Sequence, residues 1–319
     1  MLVTVAALVT TAATAYAQGS APWSPTRPVR MIVPFPPGGA VDVVGRIIAA
    51  RLPERLGQQV VVDNRGGAYA IIGTELAAKA APDGHTLLVA AAGHTITPSV
   101  IRKLPYDPIK DFAAIGFIGS GAFVLVVSPA FAAKSVGEFV ALARSRPGKL
   151  NYAHTGYGNV AHLSAELFKS MAGIDMQDVP YKGGGPALAD LMGGQISAFF
   201  AGMASSSALI HSGKLRALGV TTARRAASLP DVPAIAEAVP GYEVDGWYGL
   251  VAPAATPPAA IQRYNRELVA LLALPDVKAR LLVAGIDASP STPTEFQSRI
   301  TRDITRWADV VKKAKISVE

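Results

Sequence analysis

Three glycine-rich segments stand where an apolar, strand-like run gives way to a run with helical spacing. They are PFPPGGAVD (34–42), HTGYGNVAH (154–162) and PYKGGGPALAD (180–190). Glycine reaches positive φ without strain and lets a ligand approach the backbone closely. The N–H groups in the first turn of a helix, together with the positive end of its dipole, favour an anion. The three segments therefore predict a site at which main-chain amides hold a small anion.

Two other interpretations of the glycines stay open at this point. Gly156, Gly158 and Ala161 match the dinucleotide fingerprint G-x-G-x-x-A, and Asp178 follows Gly158 by twenty residues. In that fingerprint the acid ends the next strand, whereas DVPYK places Asp178 at the start of one. A P-loop is not supported, because Lys182 precedes its glycines and no segment ends in Gly-Lys-Ser/Thr. The glycines could also serve only as tight turns.

Motifs of catalysis and metal binding are missing from the sequence. It contains no cysteine and no G-x-S-x-G, S-x-x-K or H-E-x-x-H motif. The histidines, none of which pairs with another at metal-ligand spacing on a helix, are His85, His94, His154, His162 and His211. His94 and His162 follow strands and could face a cleft or pack inside the protein. Asp42 fits a capping acid, since acids are favoured at helix N-termini. We expect no enzyme activity, no metal and no cofactor.

Composition narrows the class of protein further. The chain has 319 residues, of which 50% are hydrophobic and 17% charged, enough for one large or two medium globular domains. The formal net charge of +7 is scattered, and its densest group, Lys312, Lys313 and Lys315, lies at the end of the chain. A nucleic-acid-binding protein would concentrate basic residues on one face with aromatic residues between them, so we expect no nucleic-acid partner.

The first residues resemble an export signal. MLVTVAALVTTAATAYAQGS is an uncharged apolar run that contains Ala15-Tyr16-Ala17, the small-x-small pattern of a cleavage site. We expect residues 1–17 to be a signal peptide that directs the chain to the periplasm. A buried first helix is the alternative, although the polar, proline-rich segment after it does not continue a helix.

From Val29 onward, strand-like runs alternate with helix-like runs. The strand-like runs include VRMIVPF, VVVDNR, TLLVAAA, LNYAHT, ISAFFAG and LRALGVTT, and the helix-like runs include AVDVVGRIIAARLPERL, SVGEFVALARSR and NVAHLSAELFKSMAG. Such alternation predicts an α/β fold with parallel sheets covered on both faces. The last third departs from it and contains two long helical runs, TPPAAIQRYNRELVALLAL and TPTEFQSRITRDITRWADVVKKA.

The alternation falls into two sets, near 29–120 and 124–222. The runs FVLVVSP and GWYGLVAP resemble strands that cross between them. We therefore expect two doubly wound sheets joined by two crossing strands, with lobe 1 formed by 27–123 plus 248–319 and lobe 2 by 124–247. Two crossing strands suit a hinge.

Taken together, these segments resemble the Bug family, the periplasmic substrate-binding proteins of tripartite tricarboxylate transporters. The matching segments are collinear over nearly the whole mature chain and include VPFPPGGAVDVVGR, QQVVVDNRGGA, APDGHTLL, LPYDPIKDF, RPGKLNYAHTGYGNVAHLSAELFKSMAG, VPYKGGGPALADLMGGQI and GWYGLVAPAATP. The resemblance implies a two-lobed periplasmic-binding-protein-like (type II) fold that closes on a small carboxylate. It also implies delivery to the permease subunits of a transporter, or to a sensor protein. We expect a monomer.

The resemblance also assigns the ligand-binding residues, mostly through backbone amides and hydroxyls. In lobe 1 they are Pro37, Gly38, Gly39, Gly93 and His94. In lobe 2 they are Thr155, Gly156, Gly158, Asn159, His162, Gly183 and Gly184.

The sequence departs from the common family pattern in three places. Val41 replaces a frequent threonine, and Tyr69 with Ala70 replaces frequent glycines, which would narrow the mouth of the cleft. Ala201 stands where an acid is often found and is a further candidate site position. If that acid meets the ammonium group of amino-acid ligands, its absence predicts an anionic ligand without an amino group.

Overall fold

The computed structural model describes residues 23–101, 103–226 and 228–313, so the predicted signal peptide lies outside the described residues. The strands in this part of the chain are β1 (Val29–Val33), β2 (Val60–Asn64), β3 (Thr86–Ala91), β4 (Phe112–Val127), β5 (Asn151–His154), β6 (Gln177–Pro180), β7 (Ala198–Gly202), β8 (Arg216–Val220), β9 (Asp245–Pro253) and β10 (Ile286–Ala288). The α-helices are α1 (Ala40–Ala49), α2 (Leu52–Leu56), α3 (Ile71–Ala78), α4 (Gly93–Val100), α5 (Val136–Ser145), α6 (Val160–Ala172), α7 (Gly184–Met192), α8 (Met203–His211), α9 (Pro258–Leu272), α10 (Pro275–Val283) and α11 (Pro293–Lys313).

The first sheet has the strand order β2-β1-β3-β9-β4, and β10 adds to β4. Strands β2, β1 and β3 are parallel, as their connecting helices require, whereas β9, β4 and β10 join antiparallel. Strand β1 reads VRMIV and is buried along almost its whole length, which suits a strand covered on both faces. This sheet and its helices form the first lobe.

The second sheet contains β6, β5 and β7 in parallel, followed by β4, which also pairs with β8. The parallel strands that the alternation predicts are present in both lobes, and antiparallel strands add to them. Each sheet has a parallel half built by strand–helix–strand units and an antiparallel half that includes β4. Strand β4 crosses from one lobe to the other and belongs to both sheets. It runs antiparallel to its neighbours in each of them.

Strand β4 belongs to both sheets. It is 16 residues long, which is enough to pair with one sheet along its first part and with the other along its second. Up to Ala122 it pairs with β9 of the first sheet, and from Phe123 it pairs with β7 and β8 of the second. The chain returns just before β9, where Val244 N–H donates to Thr221 O and Asp245 then pairs with Ala122. The prediction of a two-lobed α/β fold with two crossing strands is confirmed.

Most predicted elements form within a few residues of their expected places, with instructive exceptions. The helix predicted over 40–56 is interrupted after α1, and α2 carries Pro53, whose ring clashes with the carbonyl four residues earlier in a continuous helix. Helices α4 and α10 and the short β10 were not predicted. Among the described residues, no helix combines the length and apolarity that a bilayer crossing requires.

Candidate functional site

A cavity of about 220 Å³ lies between the two lobes, beside the crossing strands. Its wall includes Phe35 and Pro36 from the first lobe, Thr155 and Gly183 from the second, and Phe123 at the crossing in β4. In α/β proteins, ligands bind in such crevices at the carboxyl ends of parallel strands.

Five helices begin at this cavity. The wall contains residues of the first turn, or the residue just before it, of α1, α4, α6, α7 and α8. Two of these helices follow strands of the first sheet and three follow strands of the second. Because the positive ends of their dipoles converge, the field in the cavity favours an anion.

Main-chain donors at these helix starts have no acceptor within the described residues. At the start of α1 they are the N–H groups of Ala40 and Val41, and at the start of α6 those of Val160 and Ala161. All four residues line the cavity. The first N–H groups of a helix lack a partner inside the helix, so these amides are available to a ligand.

The glycines that precede α6 use their own amides within the loop. Gly156 N–H donates to His154 Nδ1 at 3.3 Å, and Gly158 N–H donates to His162 Nδ1 at 3.3 Å. Their φ angles are 138° and 73°, which glycine reaches without strain. Asn159 caps the helix by accepting from His162 N–H at 2.9 Å. The glycines therefore shape the loop, and the amides left unbonded belong to the two residues that follow Asn159.

The glycine loop before α1 is arranged in the same way. Asp42 is buried and accepts hydrogen bonds from Gly38 N–H at 2.9 Å, Asn64 Nδ2 at 2.9 Å and Arg46 Nε. Burial raises the pKa of the Asp42 carboxyl, but these hydrogen bonds and the Arg46 charge outweigh burial and leave the pKa below its usual value. Asp42 is a capping acid, as its position in the sequence predicted.

The predicted site residues divide into two groups by location. Those that line the cavity are Pro37, Gly39, Gly93, Thr155, Asn159, Gly183 and Gly184. Those that do not line it are Gly38, His94, Gly156, Gly158, His162 and Ala201. Ala201 is fully buried in β7, where it pairs with Val124. The ligand contacts of all thirteen residues stay a prediction.

Both candidate histidines pack inside the protein. His94 Nε2 lies 2.9 Å from the carbonyl oxygen of Pro108, to which it donates, and the ring stands edge-on to Phe112. His162 packs against the His154 ring at 4.9 Å between centroids and against Tyr157. Burial lowers the pKa of His94 to about 4 and, with the His154 charge, lowers the pKa of His162 to about 4.

These pKa values give the stability a definite pH dependence. Because the folded state favours the neutral rings, their contribution is complete above pH 6.5, the ordinary value, and is lost as the pH falls toward about 4. We expect the free energy of unfolding to fall by about 3 kcal/mol for each of the two histidines over that range.

Urea denaturation at a series of pH values measures this loss. His162→Asn, whose side-chain oxygen can still accept from Gly158 N–H, should flatten the profile. A free energy of unfolding that stays constant from pH 6.5 to 4.5 would contradict the assignment.

Among the lining residues, the one charged side chain is that of Lys182, which is exposed. No aspartate or glutamate is among the lining residues, all of which lie in the described part of the chain. A ligand ammonium group would therefore meet no carboxylate, whereas a ligand carboxylate meets helix N-termini and an ammonium group. In the residues that the structure describes, no cluster of three or more metal-ligating side chains occurs.

Several wall residues were missed by sequence reasoning. They include Phe35, Ala40, Phe123, Val160, Ala161, Phe199, Ser205, Trp247 and Tyr248. The prediction rested on the glycines, although the residues immediately after them supply the unbonded amides. In the run GWYGLVAP, which we predicted as a crossing strand, the neighbouring Trp247 and Tyr248 were a signal for residues that line the cleft.

The two lobes also meet outside the cavity. The Tyr69 ring of the first lobe stands edge-on to the Tyr157 ring of the second, at 5.5 Å between centroids. Tyr69 and its neighbours Ala68 and Ala70 have positive φ angles of 61°, 43° and 72°, a region that costs a non-glycine residue about 1–2 kcal/mol. Val100 at the end of α4 faces Gly158 so closely that an added Cβ there would overlap its side chain.

A cleft between two lobes that share strand β4, with helix N-termini converging from both, is the architecture of a solute-binding protein. Comparison with known proteins agrees. The model of the tripartite tricarboxylate transporter family receptor (TctC) matches residues 44–316. Protein BugT of Bordetella pertussis is 37% identical over 297 residues, which cover 92% of this chain and 91% of BugT.

Solved structures give the same result. The R. palustris protein Rpa4515, determined with adipate, is 37% identical and superposes with a TM-score of 0.89 over 92% of this chain and 99% of that one. MatC from Rhodopseudomonas palustris, with bound malate, is 34% identical with a TM-score of 0.86, over 90% of this chain and 99% of MatC.

The chain belongs to the TctC family of tripartite tricarboxylate transporter receptors, which includes the Bug proteins. These are periplasmic solute-binding proteins and not enzymes. The resemblance stated from the sequence is confirmed, and the family is one of receptors, as the sequence predicted.

Proposed function

We propose that this protein captures a small organic acid anion between its lobes and delivers it to the membrane subunits of a tripartite tricarboxylate-type transporter. The observation that carries the proposal is the convergence of five helix N-termini, from both lobes, on a cavity whose wall has a lysine and no acid. The adipate and malate bound by two relatives support a carboxylate as the ligand.

The geometry gives a reason for closure on the ligand. A hydrogen bond to a charged group contributes about 1.5–3 kcal/mol net. Two or more such bonds from each lobe, less the entropy lost on association, can reach about −8 kcal/mol, or micromolar affinity. One lobe alone offers too few donors, so a carboxylate that bridges both lobes favours the closed form. Neutral amides also release an anion more readily than a buried guanidinium group would.

We further propose that the lobes comprise 27–123 plus 248–319 and 124–247, and that the receptor works as a monomer after removal of residues 1–17. The change of pairing partner in β4 between Ala122 and Phe123 supports the first boundary. The pairing of β9 with the first sheet from Asp245 supports a return crossing near the second boundary. Secretion from the cytoplasm would place the mature chain beside its transporter.

A thermal-shift screen against an organic-acid library tests the ligand class. A carboxylate present at one hundred times its Kd should stabilise the folded state by about 2.7 kcal/mol, which raises the melting temperature by several degrees. Glutamate, aspartate, NAD(H) and ATP should give no shift. The proposal fails if no carboxylate stabilises the protein, and the exclusion of amino acids fails if glutamate or aspartate binds while plain carboxylates do not.

Uptake of the radiolabelled ligand by cells tests the partner. Deletion of the receptor gene should abolish high-affinity uptake if the protein feeds a transporter. Unchanged uptake, with a lost transcriptional response to the same acid, would instead assign the receptor to a sensor.

A further inference from the structure

Five aromatic residues are among those that line the cavity: Phe35, Phe123, Phe199, Trp247 and Tyr248. They belong to the loop after β1 and to strands β4, β7 and β9, so they surround the space from several directions. Aromatic side chains bury large areas and favour offset or edge-to-face contact with another ring.

The positions of these rings are set by packing. Trp247 is buried and stands edge-on to Phe296 at 5.4 Å. Phe123 lies so close to Gly246 that a Cβ there would overlap its ring. The rings therefore form a preorganised apolar surface, and a ligand would not have to order them on binding.

The polar side of the wall offers donors and few acceptors. The side chain of Asn159 is already engaged on both of its polar atoms, since its Oδ1 accepts from His162 N–H and its Nδ2 donates to Thr155 Oγ1 at 2.6 Å. The hydroxyl of Ser205 donates to Gly202 O at 3.0 Å. A hydroxyl group on the ligand would have to share acceptors that already take part in these hydrogen bonds, and an unsatisfied buried donor is costly.

The charge of the wall suits one carboxylate better than two. With one carboxylate at the unbonded amides that start α1 and α6, a second carboxylate would lie near the aromatic residues of the wall or reach toward Lys182, which is exposed. A buried carboxylate without partners is strongly disfavoured. A linear dicarboxylate would also lose the rotational freedom of its chain.

The volume allows a ring. A cavity of about 150 Å³ with apolar walls holds benzene. The present cavity, at about 220 Å³, has room for a six-membered ring and a carboxylate group.

We infer that the cavity takes a carboxylate carried on an aromatic ring, as in benzoate, in preference to a hydroxylated or linear dicarboxylate. The inference rests on the proposed function, because it specifies the body of the acid that the receptor captures. It separates this chain from the relatives with malate and adipate, which share its fold.

Isothermal titration calorimetry of the purified protein with benzoate, phenylacetate, adipate and malate tests the inference. We expect an aryl acid to bind at least tenfold more tightly than adipate or malate. If adipate or malate binds as tightly as the aryl acids or more tightly, the inference is overturned while the proposed function stands. If no carboxylate binds, both are overturned.

A pair of variants tests whether the rings recognise the ligand. Phe123→Leu keeps an apolar side chain at the cavity, and Phe131→Leu makes the same change at a half-buried phenylalanine that does not line the cavity. For Phe123→Leu we expect the Kd for benzoate to rise about threefold to tenfold and that for cyclohexanecarboxylate to change less. Phe131→Leu should bind both acids like the parent, and melting temperatures check that both variants fold.

Equal losses for benzoate and cyclohexanecarboxylate would show that the wall recognises size alone, which overturns the aromatic preference. Benzoate binding unchanged in Phe123→Leu would overturn it as well.

Discussion

Gly158→Val is expected to abolish ligand binding while the protein stays folded. The reason differs from the one that the sequence suggested, because Gly158 N–H donates to His162 Nδ1 and is not free for a ligand. An added Cβ would instead overlap Val100 Cγ2 on the facing lobe. To avoid this overlap, the two lobes must move apart. A ligand that has to bridge both lobes then loses the hydrogen-bond donors of one of them.

The smaller change Gly158→Ala allows a graded measurement. Overpacking costs about 1–3 kcal/mol, so we expect the Kd to rise about fivefold to 150-fold. Gly173→Ala is the matched control, because Gly173 ends the same helix with a φ of 61° and has open space around its Cβ position. Both variants should lose about 1–2 kcal/mol of stability to the left-handed backbone, but only Gly158→Ala should lose affinity.

A second substitution distinguishes a steric block from local damage. Val100→Ala removes the methyl group that the new Cβ would meet, so the double variant should recover most of the lost affinity. Calorimetry of the four proteins forms a double-mutant cycle. Additive losses, with no recovery in the double variant, would contradict contact between Gly158 and Val100 in the ligand-bound form.

The second large effect is expected from Val160→Pro. Val160 is the first residue of α6, and its N–H has no acceptor among the described residues. Proline lacks this N–H and is well tolerated at the first position of a helix. Asn159 already has a φ of −84° and a ψ of 169°, close to the extended conformation that a residue before proline prefers. The substitution therefore removes one donor with little effect on the helix.

If that amide binds the ligand carboxylate, its loss costs about 1.5–3 kcal/mol, and the Kd should rise about 10- to 150-fold. Val136→Pro is the matched control, since Val136 is the buried first residue of α5 and does not line the cavity. Calorimetry measures the Kd of both variants, and thermal unfolding checks that both are folded. Equal affinities in the two variants would show that the start of α6 does not hold the ligand.

The fold followed from the sequence to a large extent because its determinants are local. The apolar runs that form β1 and β3 are stable only when they are buried. The glycine-rich segments mark where strands end and helices begin. The two crossings could be predicted because FVLVVSP and GWYGLVAP interrupt the alternation. The direction of these strands could not be predicted, because β4 and β9 pair through residues that lie more than a hundred positions apart in the sequence.

The candidate site followed less completely. Its general place could be predicted, because glycine-rich helix starts indicate anion binding wherever they occur. The assignment of particular amides required the structure. Hydrogen bonds from Gly38, Gly156 and Gly158 to Asp42, His154 and His162 use the glycine amides, and a side chain that accepts such a bond is not distinguishable by type from one that faces a ligand.

By itself, then, the sequence determined a two-lobed receptor with anion-binding helix starts, since backbone conformation and hydrophobic periodicity are encoded over a few neighbouring residues. Only the tertiary structure decided that Val160 and Ala161 present the unbonded amides, that aromatic rings from distant strands enclose the cavity, and that Val100 lies against Gly158. These features arise from the packing of one lobe against the other, and such packing depends on the position of every intervening element.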